Sequence, residues 1–147
     1  MKKIEIGKLE VSVYIAVECE KHHEGWDLTF KPVRKCPYYL ALDKDDRTIF
    51  DKYVALIKKR PERREHKESY EYLINLCSAI EKDGRYIPEN FKDEPMWVWK
   101  GTNILGEGHH RAAVLYYLFG PKYCIDVQVS NESPPTDHDR CSNPCKE

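Results

Sequence analysis

The sequence predicts a single compact α+β domain with a small mixed sheet and three main helices. A chain of 147 residues is the size of one ordinary domain and can bury a real core. Segments with strand-like composition and segments with helical periodicity follow one another in the order strand region, helix, helix, strand, strand, helix, strand, and the first strand region comprises residues 4–6 and 11–17. We place the domain at residues 1–130 and a loose tail at residues 131–147, where Pro, Ser, Asp and Asn dominate.

The strands are predicted from their apolar composition and from alternation of apolar and polar residues. They are residues 4–6, 11–17, 96–99, 103–105 and 125–129. Lys100-Gly101-Thr102 is a suitable hairpin turn between the third and fourth of these. Residues 20–37 contain a glycine and two prolines among charged residues, which predicts an irregular connection. Residues 38–42 are predicted to form a short strand or an extended segment.

Three helices are predicted from three- and four-residue spacing of apolar side chains. Residues 49–57 form the first, which Lys58-Lys59-Arg60 and Pro61 end. Residues 67–83 form the second, with Gly84 as its C-terminal cap. Residues 112–119 are apolar on every side, so the third helix is expected to be buried nearly all round.

Composition and charge exclude several classes of function. The formal net charge is −1, which gives no general attraction to nucleic acid or to an anionic membrane. The basic residues at 58–64 are interrupted by Glu62, which favours a solvated helix end over a nucleic-acid patch. No apolar run of about 18 residues and no secretory signal are found, so we expect a cytoplasmic protein that does not bind membranes.

The six cysteines do not predict a disulfide framework, because the sequence lacks an export signal. Cys19, Cys36, Cys77 and Cys124 lie in apolar or strand-like segments and are expected to be buried free thiols. Cys141 and Cys145 lie in the polar tail and receive no role.

The best candidate for a functional site is the turn Gly106-Glu107-Gly108-His109-His110-Arg111, called here the glycine turn, between a strand and an apolar helix. Gly106 and Gly108 permit positive φ and close approach of a ligand to the main chain. The first amides of a helix lack intrahelical partners, and the helix dipole attracts anions. His109, His110 and Arg111 add donors for a phosphate at the same place.

The carboxylate of Glu107 would repel a bound phosphate, so its presence beside a phosphate site calls for a specific role. It could bind Mg²⁺ or accept a proton from an attacking hydroxyl during phosphoryl transfer. The structural alternative is an ion pair of Glu107 with Arg111 or Lys100 that ties down the turn. Both interpretations remain open from the sequence.

A zinc site is not favoured by either pair of adjacent histidines. His109 and His110 project about 100° apart on a helix and lack the spacing that places two histidines on one face. His22 and His23 beside Glu24 could join Cys19 in a site across the fold, which we keep as a minor alternative. The aromatic residues Trp97, Trp99, Tyr116 and Tyr117 fit core packing better than a base-stacking platform.

The residues from about 70 to 129 resemble the ParB/sulfiredoxin superfamily. The resemblance rests on Gly84 and Pro88 after a helix, on a strand pair, on Glu107-Gly108-His109-His110-Arg111, and on a last strand at residues 125–129. It implies a fold in which the glycine turn holds nucleotide phosphates. Sulfiredoxins have a catalytic cysteine where His109 stands, and ParB clamps carry a helix-turn-helix region that is not found here.

The free-serine kinases of this superfamily are the most similar in site motif, because they have an acidic residue, glycine, two histidines and arginine in a row. The resemblance implies ATP or another nucleotide with Mg²⁺ as cofactors, Glu107 and His109 as catalytic residues and Glu107 as the metal ligand. Gly106, Gly108, His110 and Arg111 would bind the nucleotide. We therefore expect phosphoryl transfer to a small hydroxylated metabolite. The alternatives are a regulatory module without catalysis that binds nucleotide or nucleic acid, and an acid–base enzyme that uses His109 or His110 on a substrate other than a nucleotide.

Overall fold

The computed structural model describes residues 1–17, 25–58 and 69–134, and in these ranges the chain forms six strands and four α-helices. The order along the chain is β1 (Lys2–Glu5), β2 (Glu10–Val17), β3 (Gly25–Pro32), α1 (Pro37–Asp43), α2 (Arg47–Ile57), α3 (Tyr70–Asp83), β4 (Trp97–Val98), β5 (Leu105–Glu107), α4 (His109–Phe119) and β6 (Cys124–Val129). The expected α+β class and small mixed sheet are confirmed. Four helices are present in the described ranges where three were expected.

The main sheet has four strands in the order β1-β6-β4-β5. Strand β6 pairs antiparallel with β1 and parallel with β4, and β4 pairs antiparallel with β5. The predicted hairpin between β4 and β5 is therefore present. Strands β2 and β3 form a separate antiparallel ribbon, which a single bridge between Glu10 and Ile104 connects to the segment before β5.

Two segments differ from the sequence-based expectation. Residues 37–43 form helix α1 rather than an extended segment, because Pro37 occupies its first turn and Tyr38, Ala41 and Leu42 bury one face. Residues 25–32 form strand β3 rather than an irregular connection, since each residue pairs with β2. Pro32 is accommodated as the last residue of that strand.

Helices α2 and α3 begin at side-chain caps. The Asp46 carboxylate accepts a hydrogen bond from the amide of Thr48 at 2.9 Å, and the Ser69 hydroxyl accepts one from the amide of Tyr72 at 3.1 Å. Gly84 ends α3 at φ 72°, as its position in the sequence predicted. Residues 59–68, with most of the basic cluster and Pro61, lie outside the described residues.

Helix α4 lies against α1 and α3 at the centre of the core. Residues 112–115 have no exposed surface, whereas Tyr117 is 45% exposed. The expectation of burial all round is thus correct for the first half of α4 and wrong for the second half. In the second half, Tyr116, Leu118 and Phe119 are partly buried against the core, and the rings of Tyr116 and Tyr39 meet with centroids 4.8 Å apart.

The cysteines divide into buried and exposed thiols. Cys36 and Cys77 are buried as expected, and burial raises the pKa of the Cys77 thiol, with Glu81 as a smaller cause. Cys124 is exposed, contrary to expectation, because the alternation of β6 turns Ile125 and Val127 inward and Cys124 outward. Cys19, Cys141 and Cys145 lie outside the described ranges.

Within the described ranges, no helix is both long enough and apolar enough to span a membrane.

Candidate functional site

The glycine turn has the predicted strand–glycine–helix geometry. Strand β5 ends at Glu107, and α4 begins at His109. Gly108 between them has φ 104° and ψ 24°, a backbone conformation that residues with a Cβ rarely adopt. Glycine is therefore required at this position for the chain to pass from the strand into the helix.

Both glycines also make room for side chains of the protein itself. A Cβ on Gly106 would lie 2.1–2.4 Å from atoms of the Trp97 ring, and one on Gly108 would lie 2.5 Å from Cγ of Met96. The sequence alone predicts that the two glycines let a ligand approach the main chain closely. Trp97 and Met96 fill the space on the side to which a Cβ of either glycine would point. A ligand can therefore approach the turn only from another side.

The N-terminus of α4 is electrostatically positive. The amide of Ala112 donates a hydrogen bond of 2.8 Å to the carbonyl of Gly108. Gly108 has no side chain that could accept a bond from the earlier amides. The eleven-residue helix directs its dipole at this end, so an anion placed there is stabilised.

His110 is packed between two aromatic rings. It stacks on Tyr38, with ring centroids 4.2 Å apart and planes 20° apart, and meets Tyr72 edge to face at 5.4 Å. His109 and His110 are both half-buried, and the Nε2 atoms of both are buried. The two imidazoles are thus held against the fold, in fixed positions at the start of α4.

Arg111 points into the protein rather than toward the open end of the turn. Its guanidinium donates to the Tyr86 hydroxyl at 3.0 Å and to the Glu94 carbonyl at 2.5 Å, and lies 4.9 Å from the centre of the Phe91 ring. The residue is 5% exposed. Arg111 therefore anchors residues 86–94 to α4, a role that the sequence analysis did not consider.

Glu107 is the accessible charged residue of the turn. Its side chain is exposed, and within the described residues it forms no ion pair with Arg111 or Lys100. The structure therefore does not support the alternative in which Glu107 stabilises the turn through an ion pair. A carboxylate at the mouth of a positive helix end is available for a proton or a cation.

The structure limits how a metal ion could be held. In the ranges 1–17, 25–58 and 69–134, no three His, Cys, Asp or Glu side chains are grouped to bind a metal. Mg²⁺ commonly needs only one or two carboxylates, with phosphate oxygens and waters as the other ligands. Glu107 fits such a site only together with a bound phosphate. His22, His23 and Cys19 fall outside the described residues.

Four aromatic contacts of the site residues were missed from the sequence. Tyr38 and Tyr72 hold His110, and Tyr86 and Phe91 hold Arg111. These residues come from α1, from α3 and from the segment after it, so only the tertiary fold brings them to α4. The contact of Trp97 with Gly106 could have been found from the sequence, because Trp97 begins one strand of the predicted hairpin and Gly106 lies in the other strand.

Comparisons of the chain with models of protein families, with curated proteins and with solved structures found no match. The resemblance to the ParB/sulfiredoxin superfamily therefore stays a prediction.

Proposed function

We propose that this chain is a ParB/sulfiredoxin-like domain that binds a nucleotide through its phosphates and transfers a phosphoryl group to a small hydroxylated metabolite. The observation that carries the proposal is the positive end of α4, which begins immediately after Gly108 and has the exposed Glu107 beside it. The dipole of α4 would stabilise an anion at this end of the helix.

The proposal gives each residue of the turn a specific task. Gly108 supplies the backbone geometry, and the imidazoles of His109 and His110 lie at the end of the helix where phosphate would bind. Gly106 lets Trp97 pack behind the turn. Arg111 acts indirectly, because its bonds to Tyr86 and Glu94 hold the start of α4 in place.

Glu107 would supply the chemistry. It accepts the proton of the acceptor hydroxyl while the hydroxyl oxygen forms a bond to the terminal phosphorus. The bond from that phosphorus to its bridging oxygen breaks, and the nucleoside diphosphate leaves. Alternatively, Glu107 would be a ligand of a Mg²⁺ ion that neutralises phosphate charge.

The inward direction of Arg111 supports a second candidate, a regulatory domain that binds nucleotide without turnover. Phosphoryl transfer usually relies on cationic side chains that stabilise the developing charge, and here the guanidinium is bonded to Tyr86 and Glu94. If the protein is such a regulatory domain, Glu107 would affect how nucleotide binding depends on metal ions, and it would have no catalytic role.

Calorimetric titration with ATP, CTP, GTP and ADP, each with and without Mg²⁺, tests binding. We expect heat with at least one nucleotide, and shifts of the amide resonances of residues 108–110 on binding. No heat with any of the four would contradict both candidates. Unchanged amide resonances at the turn would contradict the proposed location.

The variant Glu107→Gln separates the two candidates. If the protein is a phosphotransferase, this variant still binds nucleotide but loses phosphoryl transfer to a panel of hydroxylated metabolites, measured as release of nucleoside diphosphate. Glu81→Gln, a change at an exposed residue near the end of α3, is the matched control. Binding without turnover in the unchanged protein would favour the regulatory domain.

A further inference from the structure

A groove of about 530 Å³ lies between strand β2 and helices α1 and α2. Its walls are mostly apolar and include Ile15, Leu40, Ile49 and Leu56, which are only partly buried. At its back, the Tyr53 hydroxyl accepts a hydrogen bond of 3.1 Å from the amide of Tyr14. The main-chain amide of Tyr14 is thus bonded within the wall of the groove, and most of the other residues that line the groove are apolar.

A volume of this size is typical of sites for small organic molecules. Several half-buried aliphatic side chains side by side form the contiguous apolar patch that proteins keep exposed at binding sites. Burial of a ligand chain against them would be driven by the hydrophobic effect, because it removes apolar surface from water.

One side of the groove carries a positively charged side chain. Lys52 is the charged residue among those that line it, and within the part of the chain described by the structure Lys52 forms no ion pair. Its ammonium group can stay in water while its aliphatic stem covers the apolar wall. The groove thus combines an aliphatic surface with a single positive charge at its exposed side.

From this complementarity we propose that the groove binds an aliphatic carboxylate, a molecule with an apolar chain and one anionic head. The chain lies along Ile15, Leu40 and Leu56, and the carboxylate pairs with Lys52. This site lies on α1, α2 and β2, apart from the glycine turn, and does not depend on the function proposed above.

Decanoate is the probe, added to the full chain below its micelle concentration and followed by methyl and amide NMR. We expect shifts concentrated at Ile15, Leu40, Ile49 and Leu56. Signals of Ile4 and Ile125 in the four-stranded sheet are expected to stay unchanged. Absence of shifts, or shifts of equal size in both sets of residues, would overturn the proposal.

Charge is tested by comparing ligands and variants. Lys52→Glu is expected to weaken decanoate binding by roughly tenfold, because attraction becomes repulsion. Lys82→Glu, on the exposed side of α3, is the control and leaves the affinity unchanged. Decanol or decylamine binding as tightly as decanoate, or equal affinity of the Lys52→Glu variant, would overturn the assignment of a carboxylate ligand.

Discussion

The guanidinium of Arg111 donates a hydrogen bond of 3.0 Å to the hydroxyl of Tyr86. This bond crosses from the first turn of α4 to the segment that follows α3. Both residues are buried, and the Phe91 ring covers the guanidinium and lies 5.6 Å from the Tyr86 ring. The start of α4 is thereby joined to the rest of the fold through a charged group.

Replacing Arg111 by alanine is expected to lower the free energy of unfolding by about 3 kcal/mol, because two charge-assisted hydrogen bonds are lost and the Tyr86 hydroxyl is left buried without its donor. Chemical denaturation measures the effect. Arg85→Ala, an exposed change next to Tyr86, should stay within about 0.5 kcal/mol of the unchanged protein. An equally small effect of Arg111→Ala would refute the structural role.

Gly106→Ala is expected to destabilise the protein by about 2 kcal/mol, because the added Cβ overlaps the Trp97 ring. If the ring is the cause, Trp97→Leu should relieve part of this cost, so that a double-mutant cycle shows coupling between the two sites. Gly101→Ala is the control, since a Cβ there meets nothing within 4 Å and only its φ of 70° is unfavourable. Its cost should be independent of Trp97.

Ser69→Ala is expected to cost about 1 kcal/mol of stability, because the Ser69 hydroxyl caps α3 by accepting from the Tyr72 amide. Ser78 lies in the same helix on its exposed side. Ser78→Ala should be neutral or slightly stabilising, since alanine is the better helix former. Thermal unfolding of the two variants measures the contrast, and equal melting temperatures would argue against the cap.

Alkylation of the native protein by iodoacetamide is expected to modify Cys124 well before Cys36 and Cys77. Cys124 is exposed, whereas burial protects the other two and raises the pKa of Cys77, which lowers its thiolate fraction. Peptide mapping by mass spectrometry follows each thiol separately. In denaturant the three should react at similar rates; similar rates in the native protein would contradict the described burial.

The elements that the sequence predicted correctly have their causes nearby in the chain. The apolar spacing of α2 and α3 and the glycine that ends α3 depend on neighbours within a few residues. The position of Gly108 between a strand and an apolar helix likewise identified the candidate site. Local signals of this kind are readable because the physical interactions behind them are local.

The elements that were missed depend on distant partners. Strand β3 exists because β2 offers an edge along its whole length, which charged residues and Pro32 concealed in the sequence. Helix α1 is short, and its buried face is defined by contacts with α2 and α4. The direction of Arg111 depends on Tyr86 and Glu94, whose positions beside α4 no spacing in the sequence reveals.

The position of β6 affects the order in which the chain can fold. Lys2 pairs with Val127, and Trp97 pairs with Gln128, so this late strand fills the gap between β1 and β4. On a ribosome, the first strand must therefore wait for almost all of the described chain to be synthesised before it gains its neighbour. The β2–β3 ribbon and the helices have partners nearer in sequence and can form earlier, because closing a short loop costs less entropy.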